Sequence, residues 1–447
     1  MVRDADPALT GRARRRALDR EPPAALRRAF DWLRAPLPEP PAAMRRGPLR
    51  EGAFRSSLRS TRLTSILGVA LGVAFAVCFG TGLLSHLIQH PPGWFWWPSR
   101  PVSLYRITQG VHVATGLACV PLLGVKLWSV YPRLFTWPPV RSLVHAAERA
   151  GVALLVAAAL FQVVSGILNV ARWYAPMPFF FTTGHYWVAW LVVGALLVHL
   201  GVQLPVARAA LRRSGEARPE GTARPPGDAE AADARPGRRE NEDTEPAGAR
   251  LGRRRLLAGT AAAAGLITLT TVGQTVRPLS RLGLFAPRRP DIGQQGLPVN
   301  KTASGAGIVA DPGYRLVLAG PAGETSLDLA ALNALAQHTV DLPITCVEGW
   351  SAGATWTGVR LRDLAAMAGV APEHATVVVE SLERGGRYRV STVPPEHARD
   401  PLTLIALRLG GEVLHPDHGY PARLIAPNRP GVLQTKWVGR LTVRETR

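Results

Sequence analysis

Pro343-Ile344-Thr345-Cys346-Val347-Glu348-Gly349-Trp350 runs within a few residues into Trp356-Thr357-Gly358-Val359-Arg360-Leu361-Arg362-Asp363-Leu364. Cys346 is the last of 3 cysteines in 447 residues; Cys78 and Cys119 lie in apolar runs and read as packing residues. Cys346 therefore has no nearby partner for a disulfide. Position alone leaves two readings open: a small buried hydrophobe, or a thiolate, the soft ligand that suits a redox-active metal. Outward from it, residues 314–320, 376–381, 388–391, 422–426 and 438–443 read as strands. Residues 361–368 read as a short helix stopped by Gly369. Short strands with few helices predict an α+β domain over 285–447, long enough to bury one core.

Two more segments follow in order, His418-Gly419-Tyr420-Pro421-Ala422-Arg423-Leu424 and Gly431-Val432-Leu433-Gln434-Thr435-Lys436-Trp437. Together the four segments resemble the molybdopterin-binding domain of the sulfite oxidase family, most closely its periplasmic methionine-sulfoxide reductase branch. Four ordered segments are a more specific signal than one short motif. The resemblance implies a Mo-molybdopterin cofactor, with Cys346 as the catalytic metal ligand beside the dithiolene of one pterin. It also implies roles position by position. Asn300, in Leu297-Pro298-Val299-Asn300-Lys301-Thr302, falls in the first pterin-contacting loop. Ser381 falls where a small hydroxyl residue touches the cofactor. His418 stands where the reductase branch has an amide and sulfite oxidases have a histidine. Arg423 matches the arginine that meets the pterin phosphate, and Gln434, Thr435 and Lys436 match the segment that wraps the pterin.

The chemistry agrees, since a phosphate favours a planar guanidinium and an ammonium. Trp350, Trp356 and Trp437 read as core, and His338, His374, His397 and His415 as surface. Glu348 fits either a hydrogen bond near the metal or a structural role. One departure bears on substrate. Sulfite oxidases follow the ligand cysteine with an arginine-rich stretch, whereas here it is Val347-Glu348-Gly349-Trp350-Ser351. This favours a neutral S-oxide or N-oxide, with Arg384, Arg387 and Arg389 the nearby sources of positive charge.

The formal net charge is +21, from 53 Lys and Arg against 32 Asp and Glu. Its placement argues against nucleic acid. Arginines crowd 1–62 and 207–255, flanking apolar runs, which is the positive-inside pattern of a membrane protein. Five apolar runs, 63–88, 104–130, 150–170, 186–206 and 256–276, each approach the ~20 residues that cross a bilayer. The connection 131–149 carries Arg133, Arg141 and Arg149, whereas 91–102 and 172–184 carry one arginine each. The bias predicts a multi-pass cell-membrane protein with its N-terminus inside and an extracytoplasmic C-terminal domain. Trp94, Trp96, Trp97, Trp173 and Tyr174 read as an interfacial aromatic belt.

The expected organisation is a basic disordered tail (1–60), a four-helix transmembrane domain (61–207), a disordered linker (208–252), an anchor helix (253–277) and the molybdopterin domain (285–447). Arg253-Arg254-Arg255-Leu256-Leu257 resembles a twin-arginine export signal placed internally, though positive-inside arginines would read the same way.

His112 and His199 lie inside spans, where ionisable side chains are costly and usually functional. His86 and His185 lie near span ends. His185 and His199 are fourteen apart on one helix, ~21 Å along its axis and within roughly 40° of one face. Two haems stacked across a membrane need such a spacing. Residues 61–207 thus resemble a four-helix membrane cytochrome b, with His112, His199, His86 and His185 as haem b ligands, although no two pairs match in depth. Interhelical hydrogen bonding is the alternative. The combined expectation is a membrane-anchored molybdenum oxidoreductase. It would transfer an oxygen atom on a small S-oxide, N-oxide or sulfur substrate, or on oxidised protein methionine, with electrons exchanged through haem b and membrane quinone. The alternative is an anchor or transporter-like domain carrying a cofactor-free binding domain.

Overall fold

Long runs of apolar residues without Asp or Glu leave the backbone one way to satisfy its polar groups away from water, the α-helix. The computed structural model describes residues 56–134, 140, 142–212, 247–272, 276–286, 288, 292–309 and 311–446. The predicted tail up to residue 55 and most of the predicted linker, 213–246, lie outside the described residues. Five described helices are long and apolar enough to cross a membrane: α1 (Thr61–Gln89), α2 (Leu104–Leu134), α3 (Leu143–Ala171), α4 (Phe181–Arg212) and α5 (Ala247–Val272). Ser60 caps α1, its hydroxyl accepting the Leu63 N–H at 3.1 Å. Val73, Val164, Leu197 and Leu266 are exposed on the helix surfaces, as in a bundle whose outer face meets lipid.

The helices overrun the apolar segments read from sequence. α3 begins at Leu143 rather than 150, α4 spans Phe181–Arg212, and α5 begins at Ala247, inside the predicted linker, and ends at Val272. Hydropathy marks only the apolar slab, while helical hydrogen bonding continues through polar turns whose long side chains reach outward. Arg253, Arg254 and Arg255 accordingly lie within α5 rather than ahead of it.

The C-terminal part is built from ten described strands and three short helices: β1 (Arg315–Gly320), β2 (Gly323–Asp328), α6 (Leu329–Ala334), β3 (Gln337–Thr345), β4 (Ser351–Arg360), α7 (Leu361–Met367), β5 (Ala375–Ser381), β6 (Val390–Val393), α8 (Pro395–Ala398), β7 (Leu404–Leu409), β8 (Glu412–Val413), β9 (Arg423–Ile425) and β10 (Val438–Glu445). One sheet runs β2-β1-β10-β5-β6, with β1 and β10 parallel and the other pairs antiparallel. The other runs β3-β4-β7-β8, and β9 also pairs with β7. Both of its faces are buried. Along β7, Leu404, Ala406 and Leu409 join one apolar cluster, whereas Ile405 and Leu407 join the other. His397, read as a surface residue, is 2% exposed: its helix, α8, packs on β5 and carries the ring inward.

Candidate functional site

Cys346 sits at the tip of a hairpin. β3 and β4 pair without a slip from Gln337↔Val359 to Thr345↔Ser351, leaving Cys346–Trp350 as the turn. Cys346 N–H donates to the Trp350 carbonyl at 2.9 Å, and Gly349, at φ 93°, donates to the Cys346 carbonyl at 3.1 Å. That positive φ is costly for any residue with a Cβ. Val340, Leu342, Ile344 and Cys346 recur every second residue and share one core cluster, so strand alternation itself carries the thiol inward. Cys346 is 2% exposed. Burial first, and the nearby Glu348 second, push its thiol well above the ordinary range. A bound cation reverses that preference, because metal coordination deprotonates a thiol outright.

Cys346 opens onto a cavity of about 310 Å³. Asn300, Ser381, His418, Arg423, Gln434, Thr435 and Lys436 line it as well, so the structure brings all eight molybdopterin candidates together. Their roles divide. Gln434 is a strut: its amide accepts from Ala426 N–H (2.8 Å) and donates to the Ala426 carbonyl (3.1 Å). Ser381 is another, its hydroxyl donating to the Lys436 carbonyl at 2.8 Å. Thr435 Oγ1 lies 2.7 Å from Ser391 Oγ. His418, 1% exposed, donates from Nε2 to the Gln294 carbonyl at 2.6 Å, and burial lowers its pKa to about 4. The ring is thus neutral at pH 7, with Nδ1 as its acceptor.

Arg423 and Lys436 are the charged pair. Arg423 is 2% exposed, donates to the His418 carbonyl (2.9 Å) and the Gln434 carbonyl (3.4 Å), and keeps a buried Nε with no partner. Lys436 donates to the carbonyls of Lys301 and Asp417, both at 2.8 Å. Neither cation has a carboxylate ion-pair partner among the described residues. Desolvation pushes Arg423 down to about 9 and Lys436 down to about 7. Two buried cations satisfied only by carbonyls are costly unless an anion joins them. The donor set therefore fits a phosphate-bearing cofactor with a metal at Cys346.

Three lining side chains escaped the sequence reading: Phe180, from the connection between α3 and α4, Tyr388, and Glu383, which pairs with Lys301 of the predicted pterin loop. Burial raises the Tyr388 pKa, so its phenol stays protonated. Arg387, one of three arginines singled out, lines the cavity too. The predicted core residues Trp350, Trp356 and Trp437 are buried.

The sequence reading left the pairing of the histidines open. His112 on α2 and His185 on α4 have ring centroids 6.3 Å apart. His86 instead stacks on Tyr186 at 3.8 Å and on His90 at 4.8 Å, so it is not the mate of His185. His199 lies fourteen residues further along α4, ~21 Å from His185 along the axis, and is not the mate of His112. The contact brings together two rings at different distances from their helix starts. His112 is eight residues into its helix and His185 four. His112 Nδ1 meets the Cys78 carbonyl at 2.8 Å, and His185 Nδ1 meets Ser165 Oγ at 3.1 Å. Neither Nε2 has a hydrogen bond among the described residues. Two metal–nitrogen bonds of about 2 Å and two ring half-widths of roughly 1.1 Å together separate two axial imidazoles by about 6 Å. The two rings meet edge to face, with each Nδ1 fixed by a partner in the way metal-binding imidazoles are. Gly82 faces His112, and a Cβ there would fall 2.7 Å from its Cε1.

Residues 306–447 match the family described as oxidoreductase molybdopterin binding domain. Mitochondrial sulfite oxidase of Mus musculus is 34% identical over 29% of this chain and 29% of its own length. The NADH nitrate reductase of Volvox carteri is 40% identical over 20% of this chain and 12% of its own. The solved sulfane dehydrogenase SoxCD of Paracoccus pantotrophus is 26% identical over 35% of this chain and 44% of that one, with a TM-score of 0.30. The chain thus spans less than a third of the curated relatives it matches. Residues 306–447, with Cys346 and the buried cations around one cavity, are a molybdopterin-binding oxidoreductase domain of the sulfite oxidase and nitrate reductase type.

Proposed function

We propose that this chain is a membrane-anchored molybdenum oxidoreductase that transfers an oxygen atom on a small S-oxide or N-oxide outside the cytoplasm. The observation that carries the reading is the convergence of Cys346 with the uncompensated Arg423 and Lys436 on one cavity. Bound molybdopterin would supply the two-electron couple and the oxygen-accepting metal. The residues supply the rest. The Cys346 thiolate holds the metal, Arg423 and Lys436 hold the phosphate, and His418 presents a neutral ring with a free acceptor. Ser381, Gln434 and Thr435 hold the backbone that shapes the cavity. Tyr388 brings a protonated phenol to the cavity wall, where it donates to Gln89 Oε1 at 3.3 Å. A cavity of about 310 Å³ is at the small end for ligand sites, which favours a compact substrate once the pterin is in place.

In the membrane domain the His112–His185 pair is read as one haem b site, exchanging electrons with membrane quinone. The fourteen-residue spacing of His185 and His199 left the number of haems open, and this reading takes one. Arg253 and Arg254 keep their reading as an export signal on sequence grounds alone.

Metal, pterin and optical analysis of the purified chain tests both sites. Wild type is expected to contain molybdenum, pterin and a b-type haem spectrum. Cys346→Ser should stay folded, lose oxygen-atom transfer and change the molybdenum signal; retained activity with an unchanged signal refutes ligation. His112→Ala and His185→Ala should each abolish the haem spectrum, while His199→Ala keeps it. A haemless wild type sinks the electron-transfer role of the membrane domain.

A further inference from the structure

The turn that carries Cys346 is gripped by α2, which carries His112, and by α3, whose Ser165 is the partner of His185. The carbonyl of Val347, the residue after the cysteine, accepts Gln109 Nε2 at 3.1 Å and Asn169 Nδ2 at 3.3 Å. Gln109 is on α2 and Asn169 on α3, and they are 4% and 6% exposed. Two amides from different helices converging on one carbonyl is a specific arrangement, because a buried amide must find partners and each has several nearer carbonyls on its own helix.

Each amide leads back to one imidazole. Gln109 precedes His112 by three residues on α2, about one helical turn. Asn169 follows Ser165 by four residues on α3, and Ser165 Oγ is the partner of His185 Nδ1 at 3.1 Å. Both rings of the pair are thus joined to the same carbonyl, and so to the cysteine, by one turn of helix and a few hydrogen bonds. The neighbouring contacts hold the turn in register. Glu348 Oε1 lies 3.1 Å from Arg172 Nε, and Gly349 lies against Val113, the residue after His112, where a Cβ would fall 2.9 Å from Val113 Cγ2.

We propose that Gln109 and Asn169 are positioning residues that seat the Cys346 turn on the histidine-pair site, and that the Val347 carbonyl is the junction through which single electrons pass between them. This rests on the functional reading above. The balance is simple. A membrane quinol gives up two electrons and two protons. With both groups bound, His112 and His185 would hold the one-electron donor and Cys346 the two-electron acceptor, so each quinol would supply two single-electron transfers. After two crossings, the oxygen taken from an S-oxide or N-oxide leaves as water with two protons.

The test uses the full-length, cofactor-loaded protein and two variants, Gln109→Glu and Asn169→Leu. The first keeps the size of the side chain but replaces the donor with an acceptor; the second removes the other donor on a different helix. Each is mixed rapidly with a soluble quinol, and the haem absorbance and the molybdenum paramagnetic signal are followed in the same sample. Haem reduction should proceed at the wild-type rate and both cofactors should be present in wild-type amount. Reduction of the molybdenum site should slow by about tenfold or more, since small misplacements cost that much, and the line shape of its signal should change. A packing role alone would leave Gln109→Glu unaltered. If wild type holds both cofactors and both variants pass electrons at its rate, this inference alone falls. If wild type lacks either cofactor, the functional reading falls and the junction with it.

Discussion

An ammonium buried without a carboxylate beside it destabilises the fold that holds it, and Lys436 is in that position. Its pKa is pushed down to about 7, chiefly by burial and then by Arg423, against an ordinary lysine value of about 10.4 in the unfolded chain. Between these values the unfolded chain binds more protons at this site than the folded one, so stability rises with pH. The cofactor-free protein is therefore expected to gain stability from pH 7 to 9, by at most about 1.4 kcal/mol per pH unit from this lysine. Thermal unfolding at the two pH values measures it. Lys436→Met should remove most of the slope. Bound pterin phosphate should remove it too, by restoring the ammonium's affinity for its proton. A slope that persists in Lys436→Met assigns the effect to another group. The same reasoning makes Arg423→Lys a damaging change: it keeps the charge but loses the fork that spans the His418 and Gln434 carbonyls. Pterin content of the purified variant should fall about tenfold.

The β3–β4 hairpin decides where the cysteine points, and its fit against β7 rests on Gly358. A Cβ at Gly358 would fall 2.6 Å from Ala406 Cα, at the place where the β4–β7 register shifts between Thr357 and Gly358. Backbone cannot yield as a side chain tip can, so Gly358→Ala should destabilise the domain by about 1–3 kcal/mol. Gly385→Ala, where a Cβ meets nothing within 4 Å, is the control and should leave the unfolding midpoint in place. Equal midpoints for the two variants would remove Gly358 from this role. This hairpin also shows what the sequence conceals. β1, β5 and β10 were readable from their β-branched runs, and Cys346, Arg423 and Lys436 from the motif segments. β3 and β4 were not read as strands, although Val340, Leu342, Ile344 and Cys346 alternate cleanly, because Pro343 and the small residues Ser351, Ala352 and Gly353 dilute the signal. The strut roles of Ser381 and Gln434 were hidden for another reason: their partners, the Lys436 and Ala426 backbones, become neighbours only after the sheets form. The His112–His185 pairing was hidden because it depends on helix stagger, which one sequence does not encode locally.

The C-terminal domain docks on the helices through a set of named contacts. Asn428, 4% exposed, accepts the Tyr105 N–H at 2.6 Å on its side-chain oxygen and donates to the Pro98 carbonyl at 2.6 Å, while its own carbonyl accepts Trp97 Nε1 at 2.8 Å. Trp97, expected in an interfacial belt, is thereby a docking residue. Arg100 makes a two-pronged pair with Asp400 at 2.9 and 3.0 Å. On the next connection, Arg172 reaches Glu348 at 3.1 Å and Thr183 accepts from Arg387 at 3.0 Å. These contacts lie on the α1–α2 and α3–α4 connections, which carry a single arginine each, or on the first turn of the helix that follows. The positive-inside rule predicts a cytoplasmic side for the arginine-rich connection 131–149. An odd number of spans before the domain then carries it to the opposite side, the side of the connections it docks on. Cysteines introduced at the exposed Gly93 and Gly385 should therefore both react with a membrane-impermeant thiol reagent applied to intact cells, without permeabilisation. Reaction of Gly93→Cys alone would separate the domain from the surface described here. Reaction of neither until the membrane is opened would reverse the orientation of the whole chain and place the molybdenum site in the cytoplasm.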